Sequence, residues 1–371
     1  MVGHCDLPLV SQADGPPMRV VVRICRIGAL LMAAALTSGE AAAPRDVQQY
    51  VVSAKIPGSG GSWDYAVVDD YDSRLYLAQD GVTALDLRSG ALTSALVQGK
   101  MTHGLAPLGD GSVAVDDAVT RAITVFNGAT GHVLATIQTA HDNPVGGVHA
   151  LDALVLEPKT GLLAAVNGES GLLVLADLER QSVVGTVKIG GKPEYAAVDG
   201  AGRIYINVEH DEVAQIAVVD VRARKVVAHI PLRGCDGPTG LAYDREADLL
   251  MSVCENGIVK FIRAGNAEEV ASLPVGKGAD AIMFDPRRRR AFVAGAEAGT
   301  LSIIAVRSAT EISVIQTLAT QRGTRLGAVD SATGKVYLPA AKFAPPVPPN
   351  PYPSVVPGTF VILVVAPGNS P

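Results

Sequence analysis

Aromatic side chains make up only 4% of this 371-residue chain, and there is one tryptophan, Trp63. Cysteines number four and histidines seven, with no CxxC, CxxCH or zinc-type Cys/His spacing, so covalent haem and a structural zinc site lack their motifs. Charged residues are 18%, without a basic surplus, and the formal net charge is -6. Coating nucleic acid or an anionic membrane requires a basic face, so nucleic acid is not an expected partner. No GxSxG elbow, HExxH, P-loop or dinucleotide fingerprint occurs. Beyond Pro44 no apolar run is long enough to cross a bilayer as a helix.

What is present is apolar and rich in turns. Hydrophobic residues reach 48%, and 39 glycines and 23 prolines are spread along the chain. From Met18, the segment "MRVVVRICRIGALLMAAALTSGEAAAP" has a basic start (Arg19, Arg23, Arg26), an apolar run (Ile27 to Leu36) and small residues at Ala41 to Ala43. This order is that of a cleavable export signal. Residues 1–43 are therefore read as a signal, with 1–17 preceding it as an upstream start codon would leave them, and 44–371 as a single domain. Export predicts a periplasmic or secreted protein. Removal of the signal leaves Cys235 and Cys254, which are expected to pair in an oxidising compartment.

Internal repeats organise the rest. Aligned on the residue that closes a first strand, the chain carries "DYAVVD" (Asp64 to Asp69), "EYAAVD" (Glu194 to Asp199), "TGLAYD" (Thr239 to Asp244), "DAIMFD" (Asp280 to Asp285) and "RLGAVD" (Arg325 to Asp330). Weaker copies are "HGLAPL" (His103 to Leu108) and "DALVLE" (Asp152 to Glu157). Each continues with a tight turn and a β-rich run such as "RIYIN" or "LLMSV", then two more strands. Four short strands at a period of about 40 residues mark a β-propeller blade. The fold class is thus all-β: a seven-bladed propeller of four-stranded antiparallel blades. Copy seven ends after its third strand, and the orphan strand "YVVSAKIP" (Tyr50 to Pro57) is expected to supply its fourth, closing the ring and removing sheet edges. A closed ring needs no second chain, so a monomer is expected.

The copies "YAAVDGAGRIYINV", "PTGLAYDREADLLMSVC" and "TQRGTRLGAVDSATGKVYLP" resemble the YVTN-type, YncE-like seven-bladed propellers exported by bacteria. The resemblance spans roughly residues 47–366. It implies a binding scaffold, with nucleic-acid binding proposed for some members; the acidic chain argues against that role here.

Five residues before each strand-closing position stand Asp64, His103, Asp152, Glu194, Thr239, Asp280 and Arg325, all polar. First strands of a propeller line its channel, so these seven should ring one mouth. Arg325 falls between Asp280 and Asp64, and His103 between Asp64 and Asp152, so much of the ring neutralises itself. Glu194 is left between Asp152 and neutral Thr239, which makes Glu194 and Asp152 the expected place for calcium or another divalent cation, or for a cationic ligand group. No motif implies a cofactor. Trp63, Asn167, Asn207, Glu209 and His210 are further candidates on the same face, the two asparagines as extra oxygen donors. The readings left open are a mouth that binds a small molecule, glycan or protein, a metal-assisted hydrolase or lactonase using the same carboxylates, and a girdle holding blades in register. Two other features stand apart. "PRRRR" (Pro286 to Arg290) reads as a solvated turn on the opposite face, with nucleic-acid or lipid-phosphate binding through Arg287 to Arg290 as the weaker alternative, and the proline-rich "KFAPPVPPNPYPSVVPG" (Lys342 to Gly358) as a stiffened surface loop or a flap.

Overall fold

The computed structural model describes residues 48–139, 151–209, 213–349 and 353–368; the export segment and His210 lie outside the described residues. Seven four-stranded antiparallel sheets form the blades of a β-propeller, and no helix occurs among the described residues. Blades one to six each use four consecutive strands. Blade seven runs, from the channel outward, Ala328–Asp330, Lys335–Ala340, Val361–Pro367 and then Tyr50–Pro57. The N-terminal strand thus closes the ring, pairing from Tyr50 opposite Pro367 to Pro57 opposite Val361.

The residue patterns follow from where each strand sits. Middle strands are covered on both faces by neighbouring blades, so "LLMSVC" (Leu249–Cys254) is buried throughout and reads as an unbroken apolar run. Outer strands have a wet face: in Val133–Gln138 only Ile137 is buried. The hydrophobic clusters lie between blades. One joins Leu163, Ala165, Val174 and Ala176 to Ala106, Ala114 and Ile123 of the preceding blade.

The acid that closes every first strand except that of blade two, where Leu108 stands, is explained by the turn after it. Asp285 Oδ1 accepts the N–H groups of Arg287 and Arg288 at 2.9 and 3.2 Å, Asp330 those of Ala332 and Thr333, and Glu157 those of Lys159 and Thr160. These are Asx-type turns, or their glutamate equivalent, which satisfy backbone donors that the ladder has released.

One expectation needs correction here. The arginines of the blade-six turn are engaged with their neighbours, Arg287 alone being exposed. Arg288 Nη1 bonds Asp285 and the Ser331 carbonyl of blade seven. Arg289 reaches Asp244 of blade five at 2.6 Å and lies over the Phe284 ring. A buried carboxylate needs such a partner, so the run ties three blades together. Within the proline-rich segment, Phe343–Ala344 and Ser354–Val355 pair as a small hairpin.

At the seam, Tyr50 is 2% exposed and meets Phe292 edge-on at 5.2 Å. Its N–H donates to Gln316 Oε1 and its carbonyl accepts from Gln316 Nε2, at 2.7 and 2.8 Å. Gln316 on blade six thereby holds the closing strand by both backbone groups. Gln316→Ala is expected to cost about 1 kcal/mol, read as a lower urea midpoint with an unchanged slope.

Candidate functional site

The seven ring positions converge on one mouth of the channel, and backbone irregularity helps aim three of them. In blade four Pro193 pairs with Val208 and Ala196 with Ile206, so Glu194 and Tyr195 face the single residue Asn207. The same two-against-one step places Thr239 and Gly240 in blade five and Asp280 and Ala281 in blade six. Such bulges re-aim side chains and are frequent beside functional sites. The backbone groups they release are caught by neighbours: Asn207 Nδ2 donates to the carbonyls of Thr239 and Gly240 at 2.8 and 3.0 Å. In blade two, Asp116 Oδ1 accepts the N–H groups of His103 and Gly104.

Small residues are required where first strands cross closely. A side chain at Gly104 would meet the backbone of Asp152 and Leu154, and one at Gly240 that of Asp280, Ala281 and Ile282. The ring residue before each of these glycines, His103 and Thr239, is fixed by that approach.

Asp64, Asp152, Glu194, Thr239, Asp280 and Arg325 line a cavity of about 110 Å³. Tyr65 and Tyr195, packed together at 4.9 Å between ring centroids, complete its walls. His103 stands at the edge, with Nδ1 3.3 Å from Asp64 Oδ2. Arg325 Nη1 is 3.3 Å from Asp280 Oδ2, so both basic ring residues contact the carboxylates that their place in the ring implies.

The sector around Glu194 is different from its expected character. Lys192 Nζ lies 2.5 Å from Glu194 Oε1 and 2.6 Å from Glu209 Oε2. The chain itself provides the cation that the sequence reading sought from outside. Lys192 and Glu194 are two apart on one strand and so share a face, which was the available signal for the pair. Three other candidates are occupied within the protein. Asn207 is fully buried, bonding blade five through Nδ2 and accepting from Ser252 through Oδ1; Asn167 accepts the Ser170 N–H; and Thr239 donates to the Ala279 carbonyl. Asn207 and Thr239 are thereby engaged in interblade bonds and Asn167 in its own turn. Among the described residues, the His and carboxylate atoms that lie within 4.8 Å of one another are those of Asp64, His103 and Asp152, a group that excludes Glu194.

Electrostatics at this mouth are dominated by burial. Burial pushes Asp64 and Asp152 each up to about 7 and Glu194 up to about 8, and like charges nearby add to the effect. Arg325 opposes the shift at Asp64, and Lys192 opposes it at Glu194 and Asp152. Asp280 is also raised by burial, against Arg325. Burial works against the Lys192 charge, but its hydrogen bonds to Glu194 and Glu209 outweigh it and hold the amine above its ordinary value. The mouth therefore retains protons near neutral pH because burial disfavours its carboxylate charges, with repulsion among them adding to the effect.

Above this polar compartment opens a second cavity, of about 650 Å³, walled by Trp63, Phe343 and Pro353 and edged by His103 and Arg325. Trp63 is 7% exposed and packs on Phe360 at 5.3 Å and Phe343 at 5.9 Å, so its interblade packing role and its place in a cavity wall coincide. Phe343 and Pro353 come from the proline-rich hairpin, which therefore forms one side of the mouth. The inner cavity is lined by ring residues legible in the sequence, and of the outer cavity's lining the sequence singled out Trp63, His103 and Arg325 but not Phe343 or Pro353. Beside the mouth, Cys235 and Cys254 form a disulfide with Cα atoms 5.4 Å apart. It closes the loop that begins beside Gly237, where an added Cβ would meet the Glu209 and Glu255 side chains.

No family model matches the chain, and no curated protein matches it. Solved structures do. A hydrazine synthase chain of Kuenenia stuttgartiensis superposes with a TM-score of 0.64 at 13% identity, over 76% of this chain and 92% of that one. A chain from the crystal structure of the mitotic checkpoint complex also gives 0.64, at 14% identity, over 84% of this chain and 96% of that one. At such identities the likeness is one of fold, that of the β-propeller.

Proposed function

We propose that the protein is an exported, non-enzymatic propeller of the YncE-like type that binds a small molecule at this channel mouth. The observation that carries the reading is the junction of two compartments, an apolar-walled cavity of about 650 Å³ opening beside a polar one of about 110 Å³, with Arg325 lining both. Pockets that hold small ligands combine apolar walls with a few convergent polar groups. The fold supplies a rigid frame for such a site, and the disulfide is compatible with an oxidising compartment, in keeping with periplasmic or secreted residence. A fold alone carries no activity, so the claim rests on the mouth.

The test uses Trp63, the chain's sole tryptophan, as reporter. A ligand of the mouth is expected to change its fluorescence and raise the melting temperature, by about 3 kcal/mol of added stability at 100 times its Kd. Both responses should be lost in Phe343→Ala. A ligand that stabilises wild type and Phe343→Ala equally would place binding elsewhere.

One observation favours a second reading, a metal-assisted hydrolase. The Asp64, His103 and Asp152 donor set, mixed nitrogen and oxygen within 4.8 Å, fits a divalent cation, which would supply Lewis-acid activation of water. On this reading the purified protein carries near-stoichiometric metal and its melt falls in chelator; a metal-free protein indifferent to chelator removes it.

A further inference from the structure

We infer that the outer cavity takes an uncharged molecule with an aromatic body and a carbonyl-type hydrogen-bond acceptor, the body resting on Phe343 and the acceptor meeting Arg325. This deepens the small-molecule reading above and rests on it.

The aromatic wall sets the body. Phe343 is seated from two sides: a side chain at Gly323 would run into its ring, and the Trp63 ring lies 5.9 Å away at 44°. Gly323, at a φ of 86°, allows that seat, since any other residue there would strain the backbone and lift the ring. The Phe343 ring is nonetheless 39% exposed, and it lines the outer cavity. A large apolar ring held in place yet left open to a concave space is a platform for another flat apolar group. The volume of about 650 Å³ lies within the range of pockets that enclose an organic molecule of several rings.

Arg325 supplies the polar handle. Its side chain is 47% exposed and lines the same cavity. Among the described residues the guanidinium meets one acceptor, Asp280 Oδ2, through Nη1 at 3.3 Å. A guanidinium carries more donors than one carboxylate oxygen can use, so N–H groups remain for a ligand at the cavity edge.

Charge then decides the kind of acceptor. Both basic groups at that edge are already set against an acid, Arg325 against Asp280 and His103 Nδ1 against Asp64 Oδ2. An anionic ligand would have to compete with Asp280 for the guanidinium. An ammonium would meet Arg325 as a like charge, and would have to displace it or His103 from its acid. A neutral carbonyl accepts a remaining N–H and disturbs neither pair. The rest of the lining agrees, because Ser62, Ala296, Gly323 and Pro353 carry no charge.

The experiment measures, by calorimetry at pH 7.5, the binding of naphthylacetamide to the mature protein. Beside it are titrated naphthylacetate and naphthylethylamine, an anion and a cation on the same ring system. The amide is expected to bind at least tenfold tighter than either charged compound. Arg325→Met keeps the stem and removes the donors, and should weaken the amide about tenfold. Phe343→Ala should weaken it at least as much, with melting curves showing both variants folded. A preference for naphthylacetate or for naphthylethylamine would overturn the uncharged assignment while leaving the mouth a small-molecule site. Undiminished amide binding by Arg325→Met would overturn the placement of the acceptor. Silence toward all three compounds at millimolar concentration would overturn the inference and take from the small-molecule reading the support of the outer cavity.

Discussion

A chain that begins at Gly58, lacking Tyr50–Pro57, is expected to lose its cooperative fold. The deletion strips the outer strand from blade seven, exposing the edge of Val361–Pro367 along its whole length. It also removes the fully packed Tyr50 ring and both hydrogen bonds to Gln316. Burial of one large side chain and a ladder of backbone bonds together amount to on the order of 5 kcal/mol or more, comparable to the entire stability of many domains. The unpaired edge is in addition a template for aggregation. Urea unfolding followed by Trp63 fluorescence compares the chain from Pro44 with that from Gly58. A midpoint unchanged by the deletion would mean that the ring does not depend on its closing strand.

The architecture was legible because a repeat announces itself seven times. Every copy but the second, which closes on Leu108, carries a strand-closing acid whose task is local, to accept the N–H groups of its own turn, as Asp285 and Asp330 do. Local chemistry of that kind is written in the sequence next to where it acts. The missing fourth strand of the last copy and the orphan strand at Tyr50 were complementary for the same reason. The ring positions could also be read, since a fixed phase within a repeat becomes a fixed height in the channel.

What could not be read is what occurs in one copy alone. Lys192 stands two residues before its ring position, where the next three blades carry Gly237, Gly278 and Gly323. Comparing copies averages such a residue away, yet it decides the charge of the Glu194 sector. The Asn207 amide offers an oxygen at the height of the mouth, which in sequence alone points to a ligand. In the fold a neighbouring bulge claims it, and bulges depend on how two blades meet rather than on either sequence. The outer cavity was hidden for a third reason. Its wall joins Trp63 to Phe343, residues far apart in the chain that only ring closure brings together. The basic run at Pro286 to Arg290 shows the converse, in that a cluster that looks solvated in one turn is consumed by the acids of adjacent turns.

Asp152→Asn is expected to stabilise the protein at pH 8.5 and to do so by about a third as much at pH 5. In the unfolded chain a carboxyl titrates near 4; in the fold, burial raises Asp152 and Asp64 to about 7 and Glu194 to about 8. Between those values the folded state holds more protons than the unfolded one. Stability therefore is highest below about pH 4 for these groups and falls as pH rises through 7 to 8. A shift of about three units corresponds to about 4 kcal/mol for an isolated group. Here the groups share one mutual repulsion, and the Asp64 and Glu194 side chains are 26% and 15% exposed to channel water. Neutralising one of them should thus recover about 1–2 kcal/mol at pH 8.5. Asp110, whose carboxyl is held low by its hydrogen bonds to the Ser112 hydroxyl and N–H, acts in the opposite sense and loses its contribution as pH falls below 4. Melting curves at pH 5 and 8.5 for wild type and variant test the expectation. Identical shifts at both values would mean that the mouth carries no electrostatic strain. A gain clearly larger at pH 8.5 than at pH 5 would mean that the ring is held against its own burial and repulsion, and that a cation arriving at the mouth lowers the free energy of the fold as well as its own.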